Sequence, residues 1–151
     1  MLKKIFAPGN DSALTSIALL ILRLWLGLGM FFIHGLDKLE NFGVYATKFP
    51  DPLGIGVKPG LALVTFAEVA GALLLALGLL TRFGALTLAI DMGVAFFMFH
   101  KMAVGMAPHS GELAFLYLAG FVTLLFAGPG KFSMDQALFG KGSGGGWGKG
   151  K

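Results

Sequence analysis

Six side chains able to do chemistry stand inside or at the edges of apolar stretches of this sequence: Arg23, His34, Lys38, Glu68, His100 and Glu112. A charge near the centre of a bilayer costs at least about 2.5 to 3.5 kcal/mol on insertion scales, so each needs a partner or a purpose. Arg23 and His34 are eleven residues apart. At about 100° per residue the two share a helix face, and Lys38 extends that face by one further turn. Glu68 lies about 10 Å inside the outer end of its own stretch and Arg23 about 15 Å, at about 1.5 Å per residue. An arginine can reach across that offset, which predicts an Arg23–Glu68 pair within the membrane. His100 ends a third stretch and Glu112 opens a fourth. The expectation is therefore an outer-side polar pocket formed by His34, Lys38, Glu68, His100 and Glu112 from four separate segments. Lysine and histidine can donate hydrogen bonds to a bound molecule there, and Glu68 with Arg23 and His34 can carry protons. Asp91 does not join this set: its separation from His100 places it about 180° around a straight helix. Either it faces another neighbour, such as a second subunit in a homo-oligomer, or the helix is rotated otherwise.

The elements that must position these groups are set by composition. Of 151 residues, 56% are hydrophobic and 13% charged. Soluble domains carry about 25% charged residues, so the chain is integral to a membrane, with the lipid bilayer as its first partner and no nucleic-acid partner expected. Apolar stretches at 13–35, 61–80, 84–100 and 113–127 approach the roughly 20 residues that cross about 30 Å of hydrocarbon, the fourth being short on a strict count. The fold expected is all-α, a bundle of four transmembrane helices over residues 1–140, followed by a flexible Gly/Lys-rich tail at 141–151. Cysteine is absent, which removes thiol redox chemistry, disulfides and cysteine-ligated iron–sulfur clusters.

The N-terminal run is too long for a signal peptide and carries Arg23, so it reads as a retained first helix. Lys3, Lys4, Arg82, Lys131, Lys141, Lys149 and Lys151 fall on one side of the spans, against Lys38, Lys48, Lys58 and Lys101 on the other. That asymmetry predicts a multi-pass inner (plasma) membrane protein with both termini cytoplasmic. Leu39, Phe42, Tyr45, Ala46 and Phe49 recur at helical spacing and describe a short amphipathic helix in the outer loop, a candidate lid, broken by Pro50 and Pro52. The Gly78–Gly84 connection allows only a hairpin, Gly128-Pro129-Gly130 ends the fourth helix, and Ser133 caps a short interfacial helix. The small residues of the second span place it centrally.

Taken in order, Arg23, Gly27, His34, Gly35, Lys38 and Leu39, then Glu68, Gly71, Gly78, Thr81 and Arg82, then His100, then Gly111, Glu112 and Leu113, and finally Gly128 to Gly130, Ser133 and Asp135 closely resemble the DoxX family of small four-helix membrane proteins. The likeness covers about residues 17–139. It implies a group described as membrane oxidoreductases, named after a subunit linked to thiosulfate oxidation by quinone. Asp91 departs from the apolar third helix of that pattern.

The leading expectation is a membrane subunit of a quinone-linked redox system that binds a quinone or similar small molecule through His34, Lys38 and His100, with Glu68 and Arg23 as a proton relay. The alternative is a scaffold or assembly subunit that holds a soluble or membrane redox or metal-handling partner on the outer loop. Haem or metal ligation by His34 and His100, with His109, Glu68 or Glu112, is weaker, because no short-range ligand pair occurs. A small proton transporter is a fourth reading.

Overall fold

The computed structural model describes residues 12–105 and 110–140. Helix α1, Ala13–Glu40, starts at Ser12, whose hydroxyl accepts from the Thr15 amide at 3.1 Å and satisfies one of the free donors of the first turn. At about 1.5 Å per residue its 28 residues are longer than the hydrocarbon layer is thick. A single turn, α2 (Phe42–Tyr45), follows a break at Asn41. Then come α3 (Val57–Leu77), α4 (Thr81–Phe99), α5 (Glu112–Ala127) and the short α6 (Met134–Phe139). Three of these are long and apolar enough to cross a membrane, and α5 is a shorter apolar helix. The result is the helical membrane bundle expected, with α1 running five residues further than its apolar stretch and α3 starting at Val57.

Glycines set how closely the helices approach. A Cβ on Gly27 would lie 2.9 Å from the Ala72 carbonyl oxygen, and one on Gly35 would lie 2.7 Å from the Glu68 carbonyl oxygen, so α1 lies directly on the backbone of α3. Gly71 and Gly84 bring α3 against α4 in the same way, the Gly84 Cβ position lying 2.8 Å from the Gly71 carbonyl oxygen. Met30, Leu75, Leu88, Phe96, Phe121 and Leu124 fill the interior. Trp25 and Phe126 remain 79% and 77% exposed, an apolar exterior suited to lipid rather than water.

One end of the bundle is closed by two charges. The α3–α4 hairpin turns through Gly78 (φ 70°) and Leu80 (φ 47°), leaving carbonyls free at the end of α3 and amides free at the start of α4. Fully buried Arg23 points Nη1 at the Leu75 and Ala76 carbonyls, at 3.5 and 3.4 Å, and donates through Nη2 to Phe132 O at 2.5 Å. Asp135, also fully buried, accepts from the Leu80 and Thr81 amides at 2.7 and 2.9 Å, while its own amide donates to Gly78 O. Ser133 caps α6 as expected, its hydroxyl accepting from Gln136 N. This is the hairpin end; the opposite end, carrying Lys38 and the 41–56 segment, is the loop end.

The outer amphipathic helix is shorter than its periodicity suggests. Leu39 belongs to the last turn of α1, and Asn41 departs from helical geometry (φ −102°, ψ 23°), so only Phe42–Tyr45 remain as a separate turn. The cause is local: Asp37 draws Asn41 and Tyr45 back onto α1, with Asn41 Nδ2 donating to Asp37 Oδ1 at 2.9 Å and Tyr45 OH to Oδ2 at 2.6 Å.

Candidate functional site

Three of the long helices contain a stretch of π-helix at the loop-end half of the bundle: Met30–Gly35 in α1, Ala67–Gly71 in α3 and Val94–Phe99 in α4. Each is marked by a bond over five residues, from Leu36 N to Phe31 O, Ala72 N to Ala67 O and His100 N to Ala95 O. Such widened turns cost hydrogen-bond quality and concentrate at functional sites. Between α3 and α4, on the loop-end side of the Gly71–Gly84 crossing, a cavity of about 650 Å³ opens, within the range that holds small-molecule ligands.

Its polar groups are few. Lys38 Nζ reaches from the last turn of α1 to Glu68 in the π turn of α3, 2.9 Å from Oε1 with hydrogen-bond geometry and 2.6 Å from Oε2 off that geometry. Their side chains are 16% and 4% exposed, so the pair is largely withdrawn from solvent. Across the cavity on α4 stands Asp91, whose Oδ2 is buried without a donor. The walls between are apolar, with Val64, Ala67, Met92 and Ala95 among them.

The roof is the segment that follows α1. Tyr45, Lys48, Phe49, Pro50, Leu53 and Ile55 line the cavity from above. Asp51 folds the segment back into α3 by accepting from Ile55 N at 3.0 Å and Gly56 N at 2.9 Å, and Gly56 supplies φ 100°, a conformation side chains rarely adopt. The Asp37 carboxylate beside the Tyr45 hydroxyl holds that phenol above its ordinary value, and Lys48 Nζ sits 5.8 Å from the centre of the Tyr45 ring.

The expected cluster divides. Lys38 and Glu68 do meet at one site. His34 turns instead towards α5, edge-on to Tyr117 with centroids 5.9 Å apart, and Tyr117 stacks on Phe121. His100 packs its Cβ against the backbone of Gly111, and Glu112 lies with Ser110, Leu113 and Leu116 on a separate shallow depression. His109 lies outside the described residues. The Arg23–Glu68 pair is replaced: Arg23 serves the carbonyls at the hairpin end, and the partner of Glu68 is Lys38. Lysine wins because the last turn of α1 stands beside the π turn of α3, where Gly35 allows direct backbone contact. Asp91, which a straight helix would set apart from His100, faces the cavity, and the π segment Val94–Phe99 lies between the two, so the regular angle per residue does not carry from one to the other. Among the described residues no three histidine, aspartate or glutamate side chains gather closely enough to hold a metal ion.

A profile of the DoxX family matches residues 18–101, more than half of the chain, and spans all three π segments and the cavity. The chain belongs to the DoxX family. A Haemophilus influenzae protein described as uncharacterized is 34% identical to this DoxX protein over 116 residues, covering 74% of this chain and 84% of the relative. An uncharacterized membrane protein of Mycobacterium tuberculosis is 31% identical over 142 residues, covering 80% and 81% of the two chains. No solved structure matches the chain. Family membership makes this DoxX chain a multi-pass membrane protein, in keeping with its apolar helices.

Proposed function

We propose that this DoxX protein is the membrane subunit of a quinone-linked redox system and that it binds a quinone, or a similar small amphipathic molecule, in the roofed cavity at the loop end. The observation that carries this reading is the combination of about 650 Å³ of mostly apolar space with an ion pair and one carboxyl at its wall. A ring with polar oxygens and a hydrocarbon tail needs that division: a few fixed polar partners for orientation and an apolar remainder for burial. Lys38 is the donor to a ring oxygen, because its ammonium has three N–H groups and Glu68 engages only part of them. Glu68 and Asp91 are the groups able to exchange protons with that oxygen. His34, His100 and Glu112 line no part of the cavity, and Arg23 acts at the far end of the bundle, so none of the four touches the ligand in this reading. The lysine distribution supports an orientation with the loop end on the outer face of the plasma membrane and the hairpin end in the cytoplasm.

The test is saturable binding of a short-tailed quinone, decylubiquinone, to the purified protein in lipid nanodiscs, together with an oxidised-minus-reduced ultraviolet difference spectrum of gently purified protein. One site per chain is expected, lost in Val64→Trp, which fills the cavity, and weakened in Glu68→Gln. Binding that survives Val64→Trp in a folded protein removes the cavity from the proposal.

A further inference from the structure

The cavity is not sealed from the side. Phe83, Leu86 and Ile90 lie in the regular part of α4, at a helical spacing that puts all three on one face. Phe83 and Leu86 are exposed and do not line the cavity, so this face is the outer surface of the bundle. Ile90 continues that surface, 59% exposed, and lines the cavity as well. On α3, Leu63 and Phe66 do the same, lining the cavity while 60% and 56% exposed. An apolar outer surface on helices that cross a membrane faces hydrocarbon. The wedge between α3 and α4 therefore opens into the bilayer.

The other boundaries do not suit a hydrocarbon chain. Towards the hairpin end the wedge closes at the glycine crossing, where the Gly84 Cβ position lies 2.8 Å from the Gly71 carbonyl oxygen and the two backbones are in contact. Above, the roof carries Tyr45, Lys48 and Asp51 among its apolar residues and leads to the loop end. A tail leaving that way would meet charged groups and water, and apolar surface is driven from water in proportion to its area. The polar wall holds Lys38, Glu68 and Asp91. About 650 Å³ is room for a ring and the first part of a tail, so the rest of a long chain must lie outside the cavity. The wedge is the one of these boundaries where it stays in an apolar medium.

We infer that the ligand is a long-chain, membrane-resident amphiphile, bound with its head under the roof and its tail passing between Leu63 and Phe66 of α3 and Ile90 of α4 into the bilayer. This rests on the cavity being a quinone site. The site then reads the head and not the length of the tail, because carbons beyond the wedge have the same lipid surroundings whether the molecule is bound or free. A tail of any length fits a cavity too small to enclose it.

The experiment measures displacement of bound decylubiquinone from the protein in phosphatidylcholine nanodiscs, first by ubiquinone with a full-length isoprenoid tail and then by the tail-free ubiquinone headgroup. Empty nanodiscs correct for partition of each competitor into lipid. On wild type the full-length quinone is expected to compete within about threefold of decylubiquinone at equal concentration in the lipid. Ile90→Trp places a larger side chain in the wedge, on a surface exposed enough to accept it. The variant should hold both tailed quinones about tenfold more weakly and leave the headgroup within about threefold of its wild-type affinity. Decylubiquinone that binds but is not displaced by the full-length quinone overturns the inference while leaving the quinone site standing. Absence of saturable binding by any of the three overturns both. Loss of headgroup and tailed quinones alike in Ile90→Trp, or loss of neither, overturns the passage between α3 and α4. Leu63→Trp repeats the test from α3, and the wild-type competition decides even if neither variant folds.

Discussion

Lys38 Nζ lies 2.6 Å from Glu68 Oε2, joining the last turn of α1 to the π turn of α3 beneath the roof of the cavity. An ion pair withdrawn from solvent adds little net stability over apolar groups of similar size, because the desolvation of both charges offsets their attraction. Removing one partner is another matter, since it strands a charge in an apolar setting. Lys38→Met and Glu68→Leu are each expected to destabilise the protein by about 2 kcal/mol, less than a fully buried pair because the lysine keeps some solvent contact. The double variant should recover most of that loss. Thermal unfolding in detergent checks the cycle: losses that simply add would show that the two side chains do not act as a pair. A double variant that is stable but no longer binds decylubiquinone would assign the pair to the ligand rather than to the fold.

Gly35 tests whether the pair depends on close helix packing. A Cβ there would meet Glu68 O at 2.7 Å and Glu68 C at 2.9 Å, both backbone atoms that cannot turn aside. Gly35→Ala should part α1 from α3, cost about 1 to 3 kcal/mol and weaken ligand binding along with stability. Gly43, with nothing within 4 Å of its Cβ position, is the control: Gly43→Ala should be neutral or stabilising by up to about 1 kcal/mol. Equal behaviour of the two variants in a melting assay would refute the packing argument.

How much of this was legible follows from what a sequence encodes locally and what it does not. Apolar length placed the spans, and the cost of intramembrane charge singled out Arg23, Glu68 and Asp91, all three of which have defined places in the structure. Partner choice was not legible, because it depends on helix rotation and contact depth. The π turns interrupt the regular angle per residue assumed for α1, and the stripe of Arg23, His34 and Lys38 is divided among the hairpin end, α5 and the cavity. Arg23 could have been read differently from the sequence: the run Gly128 to Asp135 places Ser133 and Asp135 just beyond the last span, on the same side as the hairpin turn. A carboxylate there and an arginine one helix away suit the free amides and carbonyls that every hairpin leaves. The roof was half legible, since Pro50 and Pro52 mark the break, but the Asp37 bonds to Asn41 and Tyr45 that shorten the loop helix depend on the fold of the α1 terminus.

Asp135 makes the hairpin lock separable from the cavity. Its carboxylate is the acceptor for the Leu80 and Thr81 amides at the start of α4, a capping role filled from a distant segment. Asp135→Ala leaves two amides without their acceptor and should cost about 2 kcal/mol or more, with Asp135→Asn intermediate. Hydrogen exchange should rise at 78–82 first, while the affinity for decylubiquinone in the folded fraction stays unchanged. A variant of normal stability would show that Asp135 does not hold the hairpin.

Tyr45 anchors the roof in a way that pH can release. Its hydroxyl donates to Asp37 Oδ2 at 2.6 Å, and the adjacent carboxylate raises the phenol above its ordinary value of 10.0. A raised value in the folded protein means that the protonated phenol is the form favoured by folding. The anchor is therefore fully present below the ordinary value and is lost as pH rises through the raised one. The protein has two tyrosines, so Tyr117→Phe leaves Tyr45 as the sole phenol reporter. Its phenolate absorbance should titrate with a midpoint above 10, and Asp37→Asn should bring that midpoint down. A midpoint at or below the ordinary value in the protein with Asp37 intact would mean that the bond is not made in solution. At neutral pH, Tyr45→Phe removes the anchor without a change of charge, so the roof opens more often and ligand dissociation should quicken several-fold. Stopped-flow release of decylubiquinone measures that rate, and an unchanged rate would show that the roof does not gate the cavity.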